Sequence, residues 1–147
     1  MNYELLRRQL WIDEGFRRKR YKDTKGIWTI GVGHNIEADP HYPYTEKDEP
    51  LTDQQINTLL DKDIATVVAE LDQFCNWWRA MEEPRQRVLA NMCFNLGWTR
   101  LSQFKNTLRA MHDSRYADAA QGMRDSLWYK QVGARAERLA KVMEKGA

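Results

Sequence analysis

Residues 52–71 carry one apolar stripe along what must be a long helix. Ile56, Leu59, Leu60, Ile64, Val67 and Leu71 recur at three- and four-residue intervals, the spacing that stacks side chains on one helical face. Thr52-Asp53-Gln54-Gln55 opens the segment with a capping-box pattern. In that pattern the threonine oxygen accepts from the amide three residues on, and the glutamine reaches back to the cap. A helix this long and apolar on one side needs the rest of the chain to cover it. At 147 residues the chain can supply one core, divided at most into a smaller and a larger lobe. Asp63 falls on the stripe. A buried carboxylate without a partner is costly, so Asp63 needs one.

The partner is found in an alternating segment. If Ile27 to His34 is a strand, Trp28, Ile30, Val32 and His34 share one face, and Ile27, Thr29, Gly31 and Gly33 share the other. The first face is apolar except for His34, and a His34–Asp63 pair resolves both anomalies. The alternative leaves Asp63 turned to solvent at a lobe boundary. The second face is nearly bare. Two glycines there signal close approach by a ligand or backbone, or else a bulge or bend. Thr29 puts a hydroxyl on that bare face, near Asp23.

The remaining periodicity is helical. A first helix is predicted from about Asn2 to Asp13 or Glu14, with Tyr3, Leu6 and Leu10 inward, Leu5 and Ile12 flanking, and Gly15 as terminator. Residues 37–50 hold three prolines and predict loop. Pro84 suits the first turn of a helix with Val88, Leu89, Met92, Cys93 and Leu96 inward, closed by Gly97. Leu101, Phe104, Leu108 and Met111 predict one short helix. Tyr116, Ala119, Ala120 and Met123 predict another, and Ala136, Leu139, Ala140 and Met143 the last. The fold class is α+β. Residues of about 15–51 form a small hairpin lobe, about 52–74 a connecting helix, and 1–14 with about 75–147 a helical lobe. A cleft between lobes is the expected site.

Charged residues make up 30% of the chain, so a lone acid means little. Glu14 and Asp23 gain weight from their setting. They sit on different elements beside a glycine-rich segment, and two carboxylates held apart are the minimum equipment for breaking a glycosidic bond. A helix C-terminus carries partial negative charge, which favours a proton-loaded carboxyl at Glu14, while a cation paired with it would push the other way. Net charge is only +2, yet Arg17, Arg18, Lys19, Arg20, Lys22 and Lys25 crowd beside these acids. No nucleic-acid motif accompanies them, and attraction to an anionic cell envelope is the expectation.

Mean hydropathy is -0.76 and no apolar run approaches membrane-spanning length. The first residues lack a signal-peptide core. Cys75 and Cys93 are expected to be reduced structural thiols. His34, His41 and His112 are scattered, and neither they nor the cysteines have metal-ligand spacing. No metal or cofactor is expected.

Glu14-Gly15, Tyr21-Lys22-Asp23-Thr24, Gly26 and Thr29-Ile30-Gly31-Val32-Gly33-His34 together resemble the active-site signature of the T-even bacteriophage lysozymes, glycoside hydrolase family 24. The resemblance continues at Asn91 to Gly97, at Ser126-Leu127-Trp128-Tyr129 and at Arg135-Ala136. It implies a lysozyme-like fold and a muramidase. Its substrate would be the β-1,4 bond between N-acetylmuramic acid and N-acetylglucosamine in peptidoglycan, cut with inversion.

By the same resemblance Glu14 is the acid, Asp23 and Thr29 position water, Gly33 and Asn95 line the substrate site, and Trp128 belongs to the core. Arg135 pairs with Glu14, and His34 with Asp63. A monomer is expected that waits in the host cytoplasm until a holin opens the membrane, then attacks the periplasmic wall. The rival enzyme is a lytic transglycosylase, which breaks the same bond without water and leaves an anhydro product. A rival without catalysis is a peptidoglycan- or nucleic-acid-binding module. That reading leaves the grouping of Glu14, Asp23 and Thr29 beside the glycines unexplained.

Overall fold

The computed structural model describes all 147 residues. The chain divides into two compact units, residues 3–66 and residues 1–2 with 67–147.

The first unit begins with α1 (Tyr3–Glu14), which buries Leu6 and Leu10. Tyr3 and Leu5 stay about half exposed and Ile12 almost wholly so, so the inward stripe is narrower than its sequence suggests. A three-stranded antiparallel sheet follows, β1 (Arg17–Lys22), β2 (Trp28–Gly31) and β3 (His34–Asn35), in that order. Arg17 opposes Gly31 and Tyr21 opposes Thr29, so β1 advances four residues where β2 covers two. That surplus is a bulge.

The alternation does not run through to His34 as one strand. It turns back at Gly31-Val32-Gly33, and Ile30 faces His34 across the β2–β3 ladder. Gly31 and Gly33 have φ of 64° and 67°, a backbone region that costs residues with a Cβ but not glycine. The bend therefore accounts for both glycines. At Gly31 a close approach adds to it, because a Cβ there would stand 3.3 Å from Cγ2 of Ile56. Trp28, expected in the core, is 40% exposed, while Ile30, Val32 and His34 are buried.

The long helix α2 (Asp53–Phe74) starts on its capping box. Gln55 N donates to Thr52 Oγ1 at 3.2 Å, and Thr52 N donates to Gln55 Oε1 at 2.9 Å. All six residues of the predicted stripe are buried.

The second unit is helical, with α3 (Glu83–Leu96) contributing its most buried segment. Pro84 lies in the first turn and Gly97 at the C-cap. Around it come α4 (Trp98–Leu101), α5 (Lys105–His112), α6 (Tyr116–Arg124), α7 (Leu127–Val132) and α8 (Ala134–Lys145). The single helix expected through Leu101 and Met111 is two, separated at Ser102–Phe104. Helix α7 is opened by Ser126, whose hydroxyl accepts from Tyr129 N at 3.1 Å. Arg85, 8% exposed, donates Nε to Met143 O at 2.7 Å and Nη2 to Glu144 O at 2.9 Å. It thereby satisfies carbonyls that the end of α8 leaves unpaired.

Candidate active site

Glu14 is the last residue of α1, and Gly15 carries the chain out of the helix towards β1. Asp23 stands at the other end of β1 in a tight turn. Its Oδ1 accepts from Lys25 N at 2.8 Å and Ile27 N at 2.9 Å, and its own N–H donates to Ile27 O at 2.9 Å. An aspartate that bonds the amides just ahead of it mimics a turn of backbone and fixes its own rotamer.

Thr29, 5% exposed, donates Oγ1–H to Ile27 O at 2.9 Å. The N–H of Ile27 thus holds the carboxylate, and its C=O holds the hydroxyl. A hydroxyl has one proton to give. With that proton committed, Thr29 offers only lone pairs to a further partner. Both amide bonds to Asp23 fall on Oδ1.

His34 is buried, with Nδ1 2.8 Å from Asp63 Oδ2 and Nε2 2.9 Å from Asp39 Oδ2. The expected pair is present and is part of a larger network. Asp39 also accepts from Lys62 Nζ at 3.0 Å and from His41 N at 3.0 Å. Asp63 is 30% exposed at its side chain, so it straddles the stripe's edge. Burial disfavours the imidazolium, but bonds and charge from Asp63 and Asp39 outweigh this and raise the His34 pKa. Burial likewise works against ionised Asp39, and the bonds from Lys62, His34 and the His41 amide lower its pKa despite it. Asp39 escaped the sequence reading because it lies in the proline-rich segment, where no periodicity marks a side chain as inward.

Gly33 lies in the β2–β3 turn, and a Cβ there would meet nothing within 4 Å. Asn95 and Arg135 belong to the second unit. Asn95 Oδ1 accepts from Trp128 Nε1 at 2.7 Å, which ties it to a tryptophan only 3% exposed. Arg135 directs Nε and Nη2 at Asn91 Oδ1, at 3.0 and 2.7 Å.

The basic run is not one solvated patch. Strand alternation and the bulge divide it. Arg18 turns to Asp53 at 2.6 Å and Arg20 to Glu49 at 2.7 Å, while Leu51 N–H donates to Arg18 O at 2.9 Å. Arg17 and Lys19 are exposed. Lys22 lies over the Trp28 ring, 5.1 Å from its centroid.

Cys75 and Cys93 are buried and unbonded to each other. Burial pushes their thiols up to about 11 and about 12, so both stay protonated. No three His, Cys, Asp or Glu side chains converge to hold a metal ion, and no helix is long and apolar enough to cross a membrane.

The phage lysozyme family model matches residues 12–144, a span that includes Glu14, the whole sheet and Arg135. The chain is 28% identical to probable T4-type lysozyme 2 of Dictyostelium discoideum, an alignment covering 96% of this chain and 94% of that protein. It is 32% identical to the pre-baseplate central spike protein Gp5 of Enterobacteria phage T4, over 97% of this chain but 27% of the spike protein. It is 28% identical to the peptidoglycan hydrolase gp36 of Pseudomonas phage phiKMV, over 93% of this chain and 15% of that protein. The chain therefore spans almost the whole of one relative and a minor part of two others. With a family match over most of its length, the chain belongs to the phage lysozyme family and is a glycosidase of the lysozyme type.

Proposed function

We propose that the protein hydrolyses the β-1,4 bond between N-acetylmuramic acid and N-acetylglucosamine in peptidoglycan, with inversion at the anomeric carbon. The observation that carries this reading is the double anchorage of Asp23 and Thr29 on Ile27. A water between them donates one hydrogen to the Asp23 carboxylate and the other to Thr29 Oγ1, whose own proton is already given to Ile27 O. Its lone pair is then left pointing away from both, towards the sugar.

In the reaction, protonated Glu14 delivers its proton to the glycosidic oxygen as the C1–O bond breaks. The water attacks C1 from the opposite face, and Asp23 takes the proton it releases. Inverting glycosidases keep the two carboxyls about 6.5–9.5 Å apart to admit that water. Lytic transglycosylation of the same bond gives Thr29 and Asp23 no water to hold. For a role in host lysis the enzyme must reach the wall, and passage through a holin lesion is the route consistent with the resemblance.

Proton NMR of early product, with mass analysis of the fragments, tests the scheme. A reducing end that has gained one water and first appears as the α anomer is expected. A β anomer, or an anhydro end lacking that water, overturns it.

A further inference from the structure

The second unit holds a groove of about 470 Å³ between the end of α2 and α5, in which aromatic rings and cations meet. Two adjacent tryptophans show that packing alone does not explain it. Trp78 is fully buried and donates Nε1–H to Asp72 at 2.8 Å. Trp77, next to it, lines the groove and meets His112 edge-on at 5.7 Å and 87°. Opposite, Phe74 and Trp98 stack almost parallel, with centroids 5.0 Å apart and an angle of 5°. Phe74 nevertheless keeps half its surface in water.

Lys105 and Arg109 sit on the same groove, and no Asp or Glu lines it. Asp113, next to His112 in the chain, is already held by His112 at 2.8 Å and Arg115 at 3.7 Å. Aromatic rings beside two exposed cations suit a ligand that has a flat carbon face and a negative charge. A pyranose ring bearing a carboxylate-rich substituent meets both demands, its C–H face lying on the aromatic rings and its carboxylates on Lys105 and Arg109.

We propose that this groove is an accessory binding site for peptidoglycan, taking a glycan segment and its acidic stem. The site lies outside the residues that would break the bond, and it rests on the substrate class proposed above. It would hold the enzyme on the insoluble wall between cuts.

Binding is measured with Glu14→Gln protein, so that nothing is cleaved. Its amide and tryptophan Nε1–H resonances are followed as soluble muropeptide tetrasaccharide with stem peptides is added, with neutral chitotetraose as comparison. Sedimentation with purified sacculi gives the affinity for the polymer. Shifts at Phe74, Trp77 and Trp98 are expected, stronger for the acidic ligand. In the same background Lys105→Glu with Arg109→Glu should weaken sacculus binding about tenfold or more, since one lost charge-assisted contact is worth roughly that factor. Both residues are exposed, so that variant keeps the fold where Phe74→Ala could disturb it. Unchanged sacculus binding by the reversed-charge variant, or muropeptide shifts that leave the groove silent, overturns the proposal. Because the readout needs no turnover, a wild-type protein that cuts no glycan while the groove still shifts sinks the proposed reaction and supports the groove.

Discussion

His34 points Nδ1 at Asp63 Oδ2 across 2.8 Å, and its other nitrogen meets Asp39 Oδ2 at 2.9 Å. A neutral imidazole has one N–H and cannot donate to both carboxylates. Only the imidazolium can, which is why its pKa rises although burial opposes the charge. The contact ties β3 and the loop after it to α2.

Stability should therefore depend on pH in a defined direction. The folded pKa of His34 is raised, so its contribution is full below the unfolded value, about 6.5. It is lost as pH climbs through the folded value. The folded pKa of Asp39 is lowered, so its contribution is present above the unfolded value of about 3.9. It is lost as pH falls through the folded one. Between those limits both act. His34→Asn at pH 5–6 should cost about 1.5–3 kcal/mol, the range for hydrogen bonds to charged groups. Most of that should vanish at high pH. Thermal melts across pH check this, and a cost that does not change with pH would refute the charged form.

Glu14→Gln keeps the shape of the side chain and removes its proton. Lytic rate should fall about 10²–10⁴-fold, the usual worth of general acid–base assistance, with the melting temperature nearly unchanged. Turbidity clearing of permeabilised bacteria measures the rate. A folded variant that clears cells at the normal rate excludes Glu14 as the acid.

Asp23→Asn separates the turn from the chemistry. The amide oxygen still accepts from Lys25 N and Ile27 N, so the fold should hold while the base is lost and activity drops. Thr29→Val removes the hydroxyl but keeps the volume. It should cost about 1 kcal/mol for the lost bond to Ile27 O and slow hydrolysis. Thr29→Ser should restore much of both. Equal activity in the valine and serine variants would show that the hydroxyl does not hold the water.

The two turn glycines should respond differently. Gly33→Ala meets open space and carries only the backbone cost of positive φ, roughly 1–2 kcal/mol. Gly31→Ala carries that cost plus a crowded Ile56. Ile56→Leu in the Gly31→Ala background, which removes the β-branch methyl, should recover part of the loss if Cγ2 contact is responsible. Urea melts of the four proteins give the comparison, and equal losses at the two glycines would dismiss the crowding.

What was legible in the sequence follows from periodicity. The α2 stripe, its capping box and the His34–Asp63 pair were legible because each is a regular pattern or a conspicuous break in one. Asp39 was not, since loop residues carry no period to violate. The β2–β3 bend was half legible: Gly31 and Gly33 marked the place, but alternation continues in letters through a turn as easily as through a strand. The division between α4 and α5 was hidden because Leu101, Phe104, Leu108 and Met111 keep helical spacing across a break. The basic run looked uniform, but strand alternation turns Arg18 and Arg20 to Asp53 and Glu49 and leaves Arg17 and Lys19 exposed. Of the candidate site, Glu14, Asp23 and Thr29 stood out in the sequence by their setting beside the glycines, and the resemblance supplied their roles. The backbone anchor that joins two of them did not stand out.

That anchor has an evolutionary consequence. Ile27 serves Asp23 and Thr29 through its main chain alone, so most side chains could replace it without disturbing either. Selection would act on the letters either side of position 27 and stay nearly blind to position 27 itself, so a scan for invariant residues would pass over the residue on which the geometry depends.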